Sequence, residues 1–190
     1  VLERLGFRRG RVVECIATTL GEHEPNAAPA GAYLLTPSRA VMKLHTRTRT
    51  FANLMQRGRV VLNITTDPLH FLRALVAKEE LELGTTPSGM PYLRDALAYA
   101  ELELLDVRTY TLRDELGESR VGVVRLRAED VRVLAPPQGL SRGACAVVEL
   151  AVGLSRGRPP EERVLRVARR CLSAREMREV ERLLRLARRT

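Results

Sequence analysis

Tryptophan is absent from this 190-residue chain, and aromatic residues together make up only 4% of it. A core must therefore be assembled from Val, Leu, Ile and Ala, which the 45% apolar content can supply. The same scarcity argues against a surface that stacks nucleic-acid bases on aromatic rings. Lysine is nearly missing as well. Beside Lys43 and Lys78, the cations of a formal net charge of +9 are arginines. Such a balance suits an anionic ligand or partner.

Cysteine is sparse, and Cys15, Cys145 and Cys171 lie far apart in apolar runs. No CxxC pair and no Cys/His cluster at zinc spacing occurs, so no metal site is expected. The expectation is buried free thiols in a reducing cytosol. No apolar run approaches the roughly 18 residues of a membrane helix, and no secretory h-region is seen. A cytoplasmic protein without a membrane span is expected. Phosphate-loop, dinucleotide, zincin and nucleophile-elbow signatures are all missing. His23, His45 and His70 stand apart from one another and read as surface or core histidines rather than catalytic bases.

What is present is a run of strands followed by a run of helices. Residues 11–20, 27–36, 40–46 and 59–65 are rich in apolar and β-branched residues and bounded by turn residues. Pro29 and Gly31 within the second run suggest an edge, a bulge or a close backbone approach. From Thr50 the period changes, and Phe51, Leu54 and Met55 predict a short helix that Gly58 ends. Asp67-Pro68 predicts a helix start with Phe71, Leu72 and Leu75 on one face. Residues 84–95 read as a loop, and 98–112 with 119–134 as a long hairpin across 114–118.

The last third is helical. Residues 140–154 place Leu140, Ala144, Val147, Val148, Ala151 and Leu154 at helical spacing. Pro159-Pro160 predict a second helix with Val164, Leu165, Val167, Ala168, Cys171 and Leu172 inward. Ser173 to Glu176 is a capping-box pattern for a third, with Met177, Val180, Leu184 and Ala187 inward. This order predicts an α+β fold, divided into residues 1–135 and a helical extension at 136–190.

Between Arg156 and Thr190 lie 12 Arg and 5 Glu. One reading is a surface for nucleic acid or another anionic partner. The other is a solvated face with Glu162/Arg166 and Glu181/Arg185 paired at helical spacing. The lack of accompanying aromatics favours the second, so a nucleic-acid partner is not expected.

The most distinctive stretch is His45-Thr-Arg-Thr-Arg-Thr-Phe-Ala-Asn53, at a strand-to-helix junction. Unpaired amides at a helix start, threonine hydroxyls and guanidinium groups are donors suited to a phosphate. An ordinary threonine N-cap among solvated arginines is the alternative. The second stretch, Asn26-Ala-Ala-Pro-Ala-Gly31, is made of small residues that would let a flat ligand lie along a strand.

The ordered set resembles a known superfamily. A strand carrying Thr18-Thr19 leads to Asn26-Ala-Ala-Pro29, then to Thr50-x-x-Asn53, then to Val60-Val-Leu-Asn63. This is similar to the flavin reductase-like FMN-binding split β-barrels, related to pyridoxamine phosphate oxidase. It looks most like a mostly archaeal, uncharacterised branch with a C-terminal helical extension. The resemblance implies FMN, or a related deazaflavin, bound at a homodimer interface. It implies phosphate contacts from Thr46, Arg47, Thr48, Thr50 and Asn53, and a flavin edge along Asn26, Ala27, Ala28 and Pro29. Asn63 on the following strand matches too, in a role that can be structural, and Arg142 is a further anion candidate. Flavin reductases proper carry Lys-Asp or a close variant before Thr-x-x-Asn, where this chain has Arg47-Thr-Arg49. The implied activity is an oxidoreductase passing hydride from NAD(P)H through FMN. A non-catalytic flavin module is the alternative, and no catalytic side chain is assigned.

Overall fold

The computed structural model describes residues 1–22, 24–114, 117–136, 139 and 141–188. His23 and Leu140 lie outside the described residues.

Six strands close into an antiparallel barrel: β1 (Val12–Leu20), β2 (Pro25–Thr36), β3 (Arg39–His45), β4 (Arg59–Ile64), β7 (Ala98–Asp114) and β8 (Gly117–Val133), in the order β1-β2-β3-β8-β7-β4. Alternation does the sorting. In β3, Ala40, Met42 and Leu44 point inward while Arg39, Lys43 and His45 face out. The two 17-residue strands β7 and β8 slip register at Glu101/Leu102 and Leu104/Asp106. Such irregularities bend a long hairpin into a barrel wall. Met42, Leu62, Leu102 and Leu126 fill the interior, joined by Leu2 and Phe7 from the N-terminal segment and Leu54 from α1 (Arg49–Arg57). No helix among the described residues is long and apolar enough to cross a membrane.

A second core forms outside the barrel. Ile16 and Ala27, from β1 and β2, pack with Phe71 and Leu72 of α2 (Leu69–Val76). Val147 and Leu150 of α3 (Arg142–Ser155), Leu165 and Ala168 of α4 (Glu162–Cys171), and Val180 and Leu183 of α5 (Ala174–Ala187) complete it. The capping box of α5 and the glycine stop of α1 are as the sequence predicts, and the starts of α2 and α3 are not. Ser141 accepts from the Ala144 amide, and Ser173 and Glu176 form a full capping box. Gly58 ends α1 at φ 67°. Asp67 accepts from the Leu69 amide, so α2 begins one residue later than Pro68.

Several expectations need correction. The loop at 84–95 contains two short paired strands, β5 (Leu83–Thr85) and β6 (Pro91–Leu93). Their hairpin packs Met90 and Tyr92 on Val61 and Tyr99. Met55 is exposed, because the inward arc of α1 is taken by Thr50, Asn53 and Leu54. Cys15 is buried but Cys145 and Cys171 are exposed, since each falls off its helix's buried arc. Neither Glu162/Arg166 nor Glu181/Arg185 forms. Both glutamates turn to Arg169, at 2.9 and 3.5 Å. Of the readings for Pro29 and Gly31, edge and close approach apply. β3 pairs with β2 only from Ala32 onward, and a Cβ on Gly31 would stand 2.8 Å from Val12 Cγ2.

Candidate functional site

Two side-chain bridges dock α1 on the barrel. Thr19 and Asn26 face each other across β1 and β2. Thr50 and Asn53, three apart on α1, share one helix face and meet that pair. The Asn26 carboxamide donates to the Thr50 hydroxyl at 3.0 Å, and that of Asn53 to the Thr19 hydroxyl at 3.1 Å. All four residues are buried. Burying polar groups without partners would be costly, so these bonds specify where the helix start lies.

The bridge continues through Lys78. Its ammonium donates to Asn26 Oδ1 at 2.7 Å. The chain runs from ammonium to carboxamide to hydroxyl, and the Thr50 O–H has no acceptor among the described residues. Successive hydrogen bonds of one direction polarise each other, leaving Thr50 a strengthened donor. Desolvation, aided by Arg49, lowers the Lys78 pKa from its ordinary value, and Glu24 opposes the shift. An anion here would favour the charged ammonium. Sequence reasoning missed Lys78; its rarity among so many arginines was the available signal.

The rest of the junction is shaped by its own residues. Thr48 is the N-cap, accepting from the Phe51 amide at 3.2 Å and donating to the His45 carbonyl at 2.8 Å. The Thr46 hydroxyl and amide both donate to the Arg120 carbonyl. The amides of Arg49 and Thr50 are left without intrahelical acceptors. Arg49 pairs with Glu24 at 2.8 Å on the surface, whereas Arg47 is exposed and unpaired among the described residues. Beside this junction, Pro25 to Gly31 pairs with β1 alone among the described strands. Asn26 and Ala27 are buried, while Ala28 and Pro29 are half-buried along that edge.

Two candidates stand apart. Asn63 donates to the Ile16 carbonyl and the Thr18 hydroxyl, at 2.8 and 2.9 Å, and accepts from the Leu93 amide at 2.7 Å. Its carboxamide ties β1, β4 and β6 together. Arg142 opens α3 and lines a groove of about 310 Å³ with Arg163, Arg166 and Arg170, which none of the other candidates lines. Two further buried polar groups are anchors. His70 lies between Thr65 and Asp95 at 2.8 and 2.9 Å. Glu101 accepts from Arg59, Thr86 and Ser88 and so holds the β5–β6 hairpin.

Residues 13–135 match the family model described as the N-terminal domain of the protein of unknown function DUF447. The chain belongs to the DUF447 family. This DUF447 chain is similar over 98% of its length to all of an FMN-bound family member from Methanosarcina mazei, at 25% identity and a TM-score of 0.75. Two more distant structures share the barrel. An FMN-binding protein from Thermus thermophilus, solved with bound 1-cyclohex-2-enone, is 23% identical, covering 67% of this chain and 74% of that one, with a TM-score of 0.52. A flavin reductase domain protein from Arthrobacter is 12% identical, covering 71% and 84%, with a TM-score of 0.54. The fold of this DUF447 chain is thus the split barrel of flavin reductase-like proteins with C-terminal helices.

Proposed function

We propose that this chain binds FMN with its phosphate at the start of α1 and its ring along the open edge of β2. The observation that carries this reading is the Asn26–Thr50 bond, which places a small-residue strand edge directly beside a helix start rich in donors. The amides of Arg49 and Thr50, the Thr50 hydroxyl and the Arg47 guanidinium fit a phosphomonoester. Lys78 supports them through Asn26. Thr46 and Thr48 spend their hydroxyls on the chain and hold the junction's shape. Backbone groups from Asn26 to Pro29 would meet the heteroatoms of the ring, Ala27 through its main chain alone because its methyl is buried among the helices. The full-length likeness to an FMN-bound family member supports the same assignment.

The protein is an oxidoreductase of flavin-reductase type that works as a homodimer, with FMN between protomers. Bound FMN supplies the chemistry, moving hydride equivalents from NAD(P)H to an acceptor. The chain's part is to hold the phosphate, orient the ring and exclude water. Val12 and Tyr33, opposite each other on β1 and β2, are apolar yet exposed on the barrel's outer wall, which suits a second protomer.

The test is direct. The purified protein is yellow, absorbs near about 450 nm and releases FMN by mass spectrometry. NAD(P)H bleaches it. A colourless protein that takes up neither FMN nor a deazaflavin overturns the binding reading. Flavin that NAD(P)H leaves oxidised removes the reductase reading and leaves a flavin-binding module. A monomer in solution with bound flavin removes the dimer.

A further inference from the structure

The arginines of α5 are arranged, not scattered. Arg175, Arg178, Arg182 and Arg185 recur at intervals of three and four and form one stripe along the helix. They span roughly 15 Å, at about 1.5 Å per residue. Opposite runs the apolar face of Met177, Val180, Leu183 and Leu184. The stripe forms one wall of a cleft of about 980 Å³, whose other walls include Arg73 on α2 and Ser141 at the start of α3. That volume is at the upper end for small-molecule sites.

The carboxylates of the cleft are already committed. Glu179 accepts from Arg182 at 2.7 and 2.8 Å and from Arg73 at 3.2 Å. Glu176 is spent in the capping box with Ser173, and Asp67 accepts from the Leu69 amide at the start of α2. Arg175, Arg178 and Arg185 are exposed and have no partner among the described residues. The Arg73 Nε is buried without a hydrogen bond, with a Glu80 carboxylate oxygen 3.5 Å away. Guanidinium groups keep their charge at any physiological pH, so this cleft holds uncompensated positive charge above an ion-paired floor.

We propose that the α2–α5 cleft is a second ligand site, which takes a small polyphosphorylated molecule of nucleotide size. Three unpaired arginines at helical intervals meet successive phosphates better than a single one. The ion pairs of Arg73 and Arg182 fix the floor against which such a chain lies. The proposal goes beyond the flavin reading and uses none of its residues.

The experiment is calorimetric titration of the full chain with inorganic tripolyphosphate, with and without FMN. The triple variant R175Q/R178Q/R185Q weakens binding by more than about 30-fold, as loss of several charge-assisted bonds should. R178E alone weakens it by about tenfold or more. Removing equal charge at exposed Arg4, Arg9 and Arg11 with R4Q/R9Q/R11Q changes affinity by less than about threefold. Melting curves establish that each variant is folded. Absence of binding at millimolar tripolyphosphate overturns the proposal, as does equal weakening in the two triple variants. Competition by FMN shows the anion in the flavin site and overturns it too. Tight binding of a single-stranded oligoribonucleotide where tripolyphosphate fails replaces the small ligand with a nucleic acid.

Discussion

The ring of Phe51 occupies the space that a side chain at position 122 would fill: a Cβ on Gly122 would lie 2.5 Å from Phe51 Cε2. The glycine on β8 therefore sets how closely the first turn of α1 approaches the barrel. Gly122→Ala forces the ring, and the helix start with it, outward. Overpacking of this kind costs about 1–3 kcal/mol. Urea unfolding should show that loss together with weaker flavin retention, and Phe51→Leu in the same chain should recover part of both. Unchanged stability in Gly122→Ala would mean that the contact does not position α1.

Thr50→Val tests the donor chain. The replacement keeps the shape but removes the acceptor for the Asn26 carboxamide, leaving a buried N–H unpaired. The expected cost is about 1–3 kcal/mol. FMN affinity should fall as well, since the hydroxyl is lost from the junction. Lys78→Met should also lower FMN affinity and cost about 1 kcal/mol of stability or more, because it leaves the buried Asn26 Oδ1 without its donor. Fluorescence titration of FMN, with urea unfolding beside it, checks both variants. Full FMN affinity in both would contradict the phosphate assignment.

Asn63 behaves differently. Asn63→Ala removes two donated bonds and the acceptor of the Leu93 amide inside a buried cluster. About 3 kcal/mol of stability should go. In protein that remains folded, FMN affinity should be close to that of the unaltered chain. A selective loss of FMN with full stability would instead place Asn63 in the flavin site.

Acid should weaken the junction of α2 and α5. Hydrogen bonds from Arg182, then Arg73, bring the Glu179 pKa down from 4.5 to about 2 against an opposing desolvation effect. A carboxyl whose folded pKa is depressed adds stability above its unfolded value and loses it as pH falls toward the folded one. The contribution is therefore present above about 4.5 and is lost between there and about 2. Glu179→Gln should flatten the fall in unfolding free energy across that window. An unchanged slope would show that the network carries no stability.

Apart from the β5–β6 hairpin, which reads as a loop, the kinds of element were legible along the chain because they depend on neighbours. Apolar alternation gives the strands away, the three-and-four spacing marks the helices, and Thr48, Gly58 and the Ser173–Glu176 box mark helix ends through bonds spanning three or four residues. The motif order that pointed to a flavin barrel was likewise written in linear sequence. Tertiary structure alone decided which polar residues meet. Thr50 and Asn53 turned inward in place of Met55, since a hydroxyl and a carboxamide leave no trace in hydrophobic periodicity. Lys78 reached Asn26 across 52 positions, a bond that exists only once the barrel has closed and α2 has packed on it. The pairing of Glu162 and Glu181 with Arg169, and the three arginines of α5 without a partner among the described residues, also follow from how helices pack. Charge spacing along one helix cannot specify which carboxylates its neighbours bring within reach.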